Sequence, residues 1–105
     1  MFDELAEQVH AIATEKGFWH EEVDDIFIAK QLMMIVSEVV EAMEAIRKEK
    51  GEEEIAFEFA DIIIRVLDLY AGLVENKYTS ISLDWAVINK MQKNTERPEK
   101  HGVRF

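Results

Sequence analysis

The chain has 105 residues, 49% of them hydrophobic, which is enough apolar material for one domain spanning 1–105 but small enough to gain from oligomerisation. Twenty-two acidic against twelve basic residues give a net charge of −10, which disfavours a nucleic-acid backbone or an anionic membrane surface and means that an anionic substrate needs bridging cations. The absence of cysteine excludes disulfides and thiolate zinc sites, and with neither a signal-peptide pattern nor an apolar run of membrane length the expected location is cytoplasmic.

Phe2, Leu5, Val9 and Ile12 recur at helical spacing and predict a first helix over about 3–16, ended by Gly17. Within it, Glu7 and His10 form the Glu-x-x-His spacing of di-iron carboxylate proteins, but that architecture needs a second copy and the chain has none; a surface pair is expected. The cluster Gly17-Phe18-Trp19-His20 follows. Phe18 is expected to close the core, whereas Trp19, with His20 beside it, is the candidate for stacking on a nucleobase.

A second helix is predicted from about Asp25 to Lys48, capped by Asp24 or Asp25, favoured at its end by Arg47, Lys48 and Lys50, and stopped by Gly51. Its main apolar face is Leu32, Ile35, Val36, Val39, Met43 and Ile46, with Glu38 and Glu41 half sheltered between that face and the wet side. A third helix opens on Glu52, Glu53 and Glu54, which suit the positive end of the dipole, and runs to about Val74. Apolar residues cover most of it, leaving a stripe of Glu58, Asp61, Arg65 and Asp68 too thin for an ordinary solvated face.

Glu38 and Glu41 on one helix, and Glu58 and Asp61 on the next, are pairs three residues apart, so each pair projects from one face of its helix. A single pair of this kind is ordinarily a solvated face with lysine partners. Two pairs set in apolar surroundings repel one another and lose hydration, so they must protonate, pair with cations or bind a metal. Arg65 compensates only part of that charge. Mg²⁺ suits the remainder, as a hard ion that takes carboxylate oxygens and waters at ~2.0–2.1 Å and leaves positions open for substrate phosphates.

Ser82 and Asp84 open a predicted fourth helix that ends near Thr95, with Trp85, Ile88 and Met91 directed inward. Lys90, Asn94 and Arg97 follow one another along another face, a row of donors suited to phosphate oxygens, though a lysine row is more often simply solvated. Pro98 ends regular helix, and there is no Gly-rich phosphate loop and no Ser/His/Asp or Cys/His arrangement.

With these residues in view, the chain resembles the MazG-like branch of the all-α nucleoside triphosphate pyrophosphohydrolases, whose pattern is Glu-x-x-Glu on one helix and Glu-x-x-Asp on the next. Glu38, Glu41, Glu58 and Asp61 fill it without a substitution, and the likeness extends through KGFWH, EFADIIIRVLDL and the ending KMQKNTERPEKHGVRF. The resemblance implies an all-α, four-helix fold assembling as a dimer or dimer of dimers. It also implies Mg²⁺-dependent hydrolysis of a nucleoside triphosphate to the monophosphate and pyrophosphate, with Mn²⁺ as a substitute ion and nucleotide-pool house-cleaning as the role. Glu38, Glu41, Glu58 and Asp61 would hold the ions, Lys90 and Asn94 the phosphates with Arg97 assisting, and Trp19 the base. The alternatives are a phosphoribosyl-nucleotide pyrophosphohydrolase of the same superfold, and a non-catalytic helical interaction or regulatory module.

Overall fold

A computed structural model describes residues 1–19 and 22–96. The described chain is all-helical: α1 (Phe2–Glu15), α2 (Asp25–Arg47), α3 (Glu52–Glu75) and α4 (Leu83–Glu96), with no strand among the described residues. No helix among them is long and apolar enough to cross a membrane.

The C-terminal ends of α1, α2 and α3 share one device. Gly17, Glu49 and Lys77 all take positive φ (84°, 52° and 65°), and after each the chain closes a paired set of backbone hydrogen bonds: Gly17 to Thr14 with Phe18 to Ala13, Glu49 to Ile46 with Lys50 to Ala45, and Lys77 to Val74 with Tyr78 to Leu73. These are Schellman endings, which satisfy carbonyls that the last turn of a helix leaves unpaired. Gly17 is the predicted stop. The second helix, in contrast, stops at Glu49, and Gly51 (φ 100°) instead leads into α3. Asp24 caps α2, accepting from the Phe27 amide at 2.8 Å.

The N-termini of α1 and α4 cap each other. Asp84, in the first turn of α4, accepts from the amino group of Met1 (2.9 Å) and the amide of Phe2 (2.7 Å), while Asp3 accepts from the amide of Leu83 (2.8 Å) and the hydroxyl of Ser82 (2.5 Å). Each aspartate thus sits where the other helix's dipole is positive. This clasp fastens α4 to α1. No residue of α4 is buried, and Trp85 (59% exposed), Ile88 and Met91, predicted to point inward, face outward.

Helix α3 is the central element, packed by α1 on one side and α2 on the other. Along α2, one stripe sheltered from solvent is Ile28, Gln31, Ile35, Glu38, Ala42 and Ala45, at alternating steps of three and four. Along α3 the matching series is Ile55, Glu58, Ile62, Arg65, Leu69 and Gly72. Two such stripes make a coiled-coil-like seam. The predicted main face of α2 is therefore wrong in this chain: of its residues only Ile35 is sheltered, and Leu32, Val36, Val39, Met43 and Ile46 are exposed. Counting apolar residues favours the bulky face, but α2 approaches α3 through its small residues and Glu38.

The core lies at one end of this seam, where Phe27, Ile28 and Leu69 are buried with Trp19, Val23, Ile35 and Leu73 packed against them. Gly72 makes room for Trp19: a β-carbon there would lie 2.1 Å from the indole ring.

Candidate metal centre

Three of the four carboxylates singled out from the sequence meet in the α2–α3 seam, and the fourth, Glu41, lies beside Glu38. Buried Ala42 and Ala45 follow Glu38 on α2, small side chains that let two helices run close where the acids face each other. Glu38, Glu58 and Asp61 each offer an oxygen, and those oxygens lie within 4.8 Å of one another. Glu38 and Glu58 are half-buried; Asp61 and Glu41 are exposed.

Glu41 stands outside that trio but inside its field. Its carboxyl is raised above the usual carboxylate range, first by a hydrogen bond shared with Glu38, then by the negative charge of Glu38, by desolvation, and by the charges of Glu58 and Asp61. Two carboxylates can share a hydrogen bond only if one holds a proton. The cluster thus carries more negative charge than its surroundings comfortably support.

Only one cation among the described residues is paired with this cluster. Arg65 Nε donates to Glu38 Oε1 at 2.9 Å, with the Glu38 side chain 13% exposed. Oε2 of Glu58 is buried and has no hydrogen-bond partner among the described residues. An orphaned buried carboxylate oxygen costs a few kcal/mol unless something positive or protic meets it. The donor set is all-oxygen and anionic, it spans less than 5 Å, and one donor lacks a partner. These residues fit a hard divalent cation such as Mg²⁺ or Mn²⁺.

A cavity of about 300 Å³ opens beside the acids, with Glu38, Asp61, Arg65 and Asp68 on the α2–α3 side and Val9, Ile12, Lys16 and Phe18 on the side of α1. A larger cleft of about 860 Å³ runs along another face of α1, bordered by the end of α3 and residues 80–82, and includes none of the four carboxylates.

The other predicted site residues lie apart. Trp19 is turned inward: its indole N–H donates to Asp68 Oδ1 at 2.9 Å, its ring meets His10 edge-on at 4.7 Å and Phe27 at 5.3 Å, and it rests on Gly72. It serves the core, and Phe18 next to it, expected in the core, is 64% exposed at the cavity. Lys90 and Asn94 are exposed on α4, outside the cavity of the same chain. His20 and Arg97 lie outside the described residues, as does the rest of the ending from Pro98 onward.

Besides the clasp between Met1 and Asp84, sequence reasoning missed a histidine bridge. His10, expected to pair with Glu7 at the surface, instead bridges α1 to α3, with Nδ1 2.8 Å from Asp68 Oδ1 and Nε2 2.6 Å from Glu75 Oε2. Both partners are far away in the chain, so no local spacing could have signalled it.

No family model, curated protein or solved structure matches the chain.

Proposed function

We propose that the protein is a Mg²⁺-dependent nucleoside triphosphate pyrophosphohydrolase of the MazG-like type, cleaving a (d)NTP to the monophosphate and pyrophosphate. The observation that carries this reading is the convergence of Glu38, Glu58 and Asp61 within 4.8 Å, next to a cavity and with one buried oxygen unpartnered. An acidic cluster repels a triphosphate by itself. With divalent cations it becomes a phosphate-binding site, which reconciles a chain of net charge −10 with a polyanionic substrate.

Glu38, Glu58 and Asp61 would hold the cation, which when bound supplies charge neutralisation and a more acidic water. Arg65 limits the excess negative charge and orients Glu38. Hydrolysis between the α- and β-phosphates adds a water oxygen to the α-phosphorus, breaks the bridging P–O bond and releases pyrophosphate; the water's proton needs an acceptor. We assign that role to Glu41, the member of the four outside the donor trio, exposed to solvent and ionised once a cation offsets the charge of its neighbours.

Assembly belongs to the same proposal. Leu32, Val36, Val39 and Met43 on α2 and Phe59, Ile63 and Val66 on α3 are all exposed, too much apolar surface for a solitary soluble domain. A homodimer or homotetramer covers it and offers a route for Lys90 and Asn94 of one copy to reach the acids of another. The same surface favours a second reading, a non-catalytic helical interaction module.

The deciding experiment incubates the protein with each of the dNTPs and NTPs, with and without Mg²⁺, and resolves the products. Monophosphate and pyrophosphate appearing only with the metal support the enzyme. No turnover of any nucleotide, or release of orthophosphate alone, overturns it in favour of the interaction module or a different reaction.

A further inference from the structure

We infer that Lys16 and Phe18, the two residues flanking Gly17, select the substrate of this site: Phe18 stacks on the nucleobase and Lys16 holds the phosphate chain. The inference rests on the pyrophosphohydrolase reading and names which residues of this chain receive the nucleotide.

The geometry comes from the end of α1. Gly17 takes φ 84° and closes the helix, and the chain then sends successive aromatic residues in opposite directions. Trp19 turns into the core, its N–H spent on Asp68 and its ring over Gly72. Phe18 turns out to line the 300 Å³ cavity that also contains Glu38 and Asp61. A ring 64% exposed beside a polar cleft is costly in water and gains by covering its face with another flat apolar surface. Val9 and Ile12, from the preceding turns of α1, extend the same apolar wall. The cavity volume is at the lower end of the range for small-molecule sites, suited to a base and sugar with the phosphates running over the acids.

Lys16 supplies what the rest of the cavity lacks. Arg65 is committed to Glu38, whereas Lys16 has no ion-pair partner among the described residues and stands at the cavity wall. A polyanion arriving over Glu38 and Asp61 benefits from a cation on the opposite wall, and a lysine on a short exposed turn reaches it as a point charge.

Phe18, whose amide donates to the Ala13 carbonyl, also occupies the position after a Schellman turn where an apolar residue often packs back on its helix, and the test separates the two roles. Phe18→Leu keeps an apolar contact and removes the aromatic face; Phe18→Trp keeps the face. KM and kcat are measured for the four dNTPs with Mg²⁺, together with inhibition by inorganic tripolyphosphate, which has no base. Phe18→Leu should raise KM about 5- to 100-fold with a much smaller change in kcat, leave tripolyphosphate inhibition intact, and melt at the wild-type temperature; Phe18→Trp should restore KM. Lys16→Met should weaken both the nucleotides and tripolyphosphate. Unchanged KM for every dNTP in Phe18→Leu, in a wild type that turns over, overturns the stacking role. Equal loss of nucleotide and tripolyphosphate binding in that variant shows a structural role and also overturns it. Failure of the wild type to hydrolyse any nucleotide removes the parent reading itself.

Discussion

Arg65 on α3 and Glu38 on α2 meet across the seam, Nε to Oε1 at 2.9 Å, and this ion pair offsets part of the negative charge where Glu58 and Asp61 gather beside Glu38. Arg65→Gln keeps hydrogen-bonding capacity and removes the charge. Without divalent ions the variant should be about 1 kcal/mol less stable, a melting temperature lower by roughly 4–8 °C for a domain of this size. Because the acids then lack their internal counter-charge, Mg²⁺ should raise its melting temperature by more than it raises that of the wild type. A smaller rise in the variant would mean that Arg65 and the metal do not compete for the same charge.

Glu58 and Glu41 should separate binding from chemistry. Saturating Mg²⁺ stabilises a folded protein in proportion to RT ln(1 + [L]/Kd), about 2.7 kcal/mol at a hundred times Kd. Glu58→Gln removes a donor of the trio and should lose most of that thermal shift. Glu41→Gln should keep most of it while losing about 10²- to 10⁴-fold in turnover. Calorimetry with and without Mg²⁺, paired with a pyrophosphate-release assay, measures both quantities, and an identical Mg²⁺ response in wild type and Glu58→Gln would rule out this centre.

His10 should make the α1–α3 contact pH-dependent. Burial pulls its pKa down, but the hydrogen bonds to Glu75 and Asp68, with the charges of both, outweigh that and raise it above the ordinary value of 6.5. Its two ring nitrogens each face a carboxylate, which requires the doubly protonated ring. Asp68 and Glu75 face it from α3, Trp19 lies against its edge, and Glu7 borders the same cleft one turn back on α1. The stabilisation is complete below about pH 6.5 and fades as pH rises through the raised folded value. The melting temperature of wild type should therefore exceed that of His10→Gln by more at pH 6 than at pH 9. A gap that stays constant across that range would show that the ring carries no linked proton.

The exposed face of α2 and α3 should be an interface. Sedimentation of the wild type should give at least twice the 12.2 kDa of the chain, and Val39→Glu, which puts a charge between Val36 and Met43 on the exposed face of α2, should shift it toward monomer. A wild type that sediments as monomer at all concentrations would refute the assembly proposed above.

Much of the architecture was legible in the residues alone, because helix starts and stops are local events. Gly17 closing α1, Asp24 capping α2 and the run of glutamates opening α3 act within a turn of where they stand. The spacing of Glu38 with Glu41 and of Glu58 with Asp61 likewise places each pair on one helical face, whatever the rest of the chain does. Which faces meet is a different question, since α2 is apolar on two sides and propensity cannot choose between them. Tertiary packing settled it: α3 takes the side with Ala42 and Ala45, which lets the backbones run close and brings Glu38 to Glu58, Asp61 and Arg65, while leaving Leu32, Val36 and Val39 outside. The exchange of roles between Phe18 and Trp19, the His10 bridge to Asp68 and Glu75, and the reciprocal caps of Asp3 and Asp84 were decided there too, since each joins groups that sequence order separates or cannot orient.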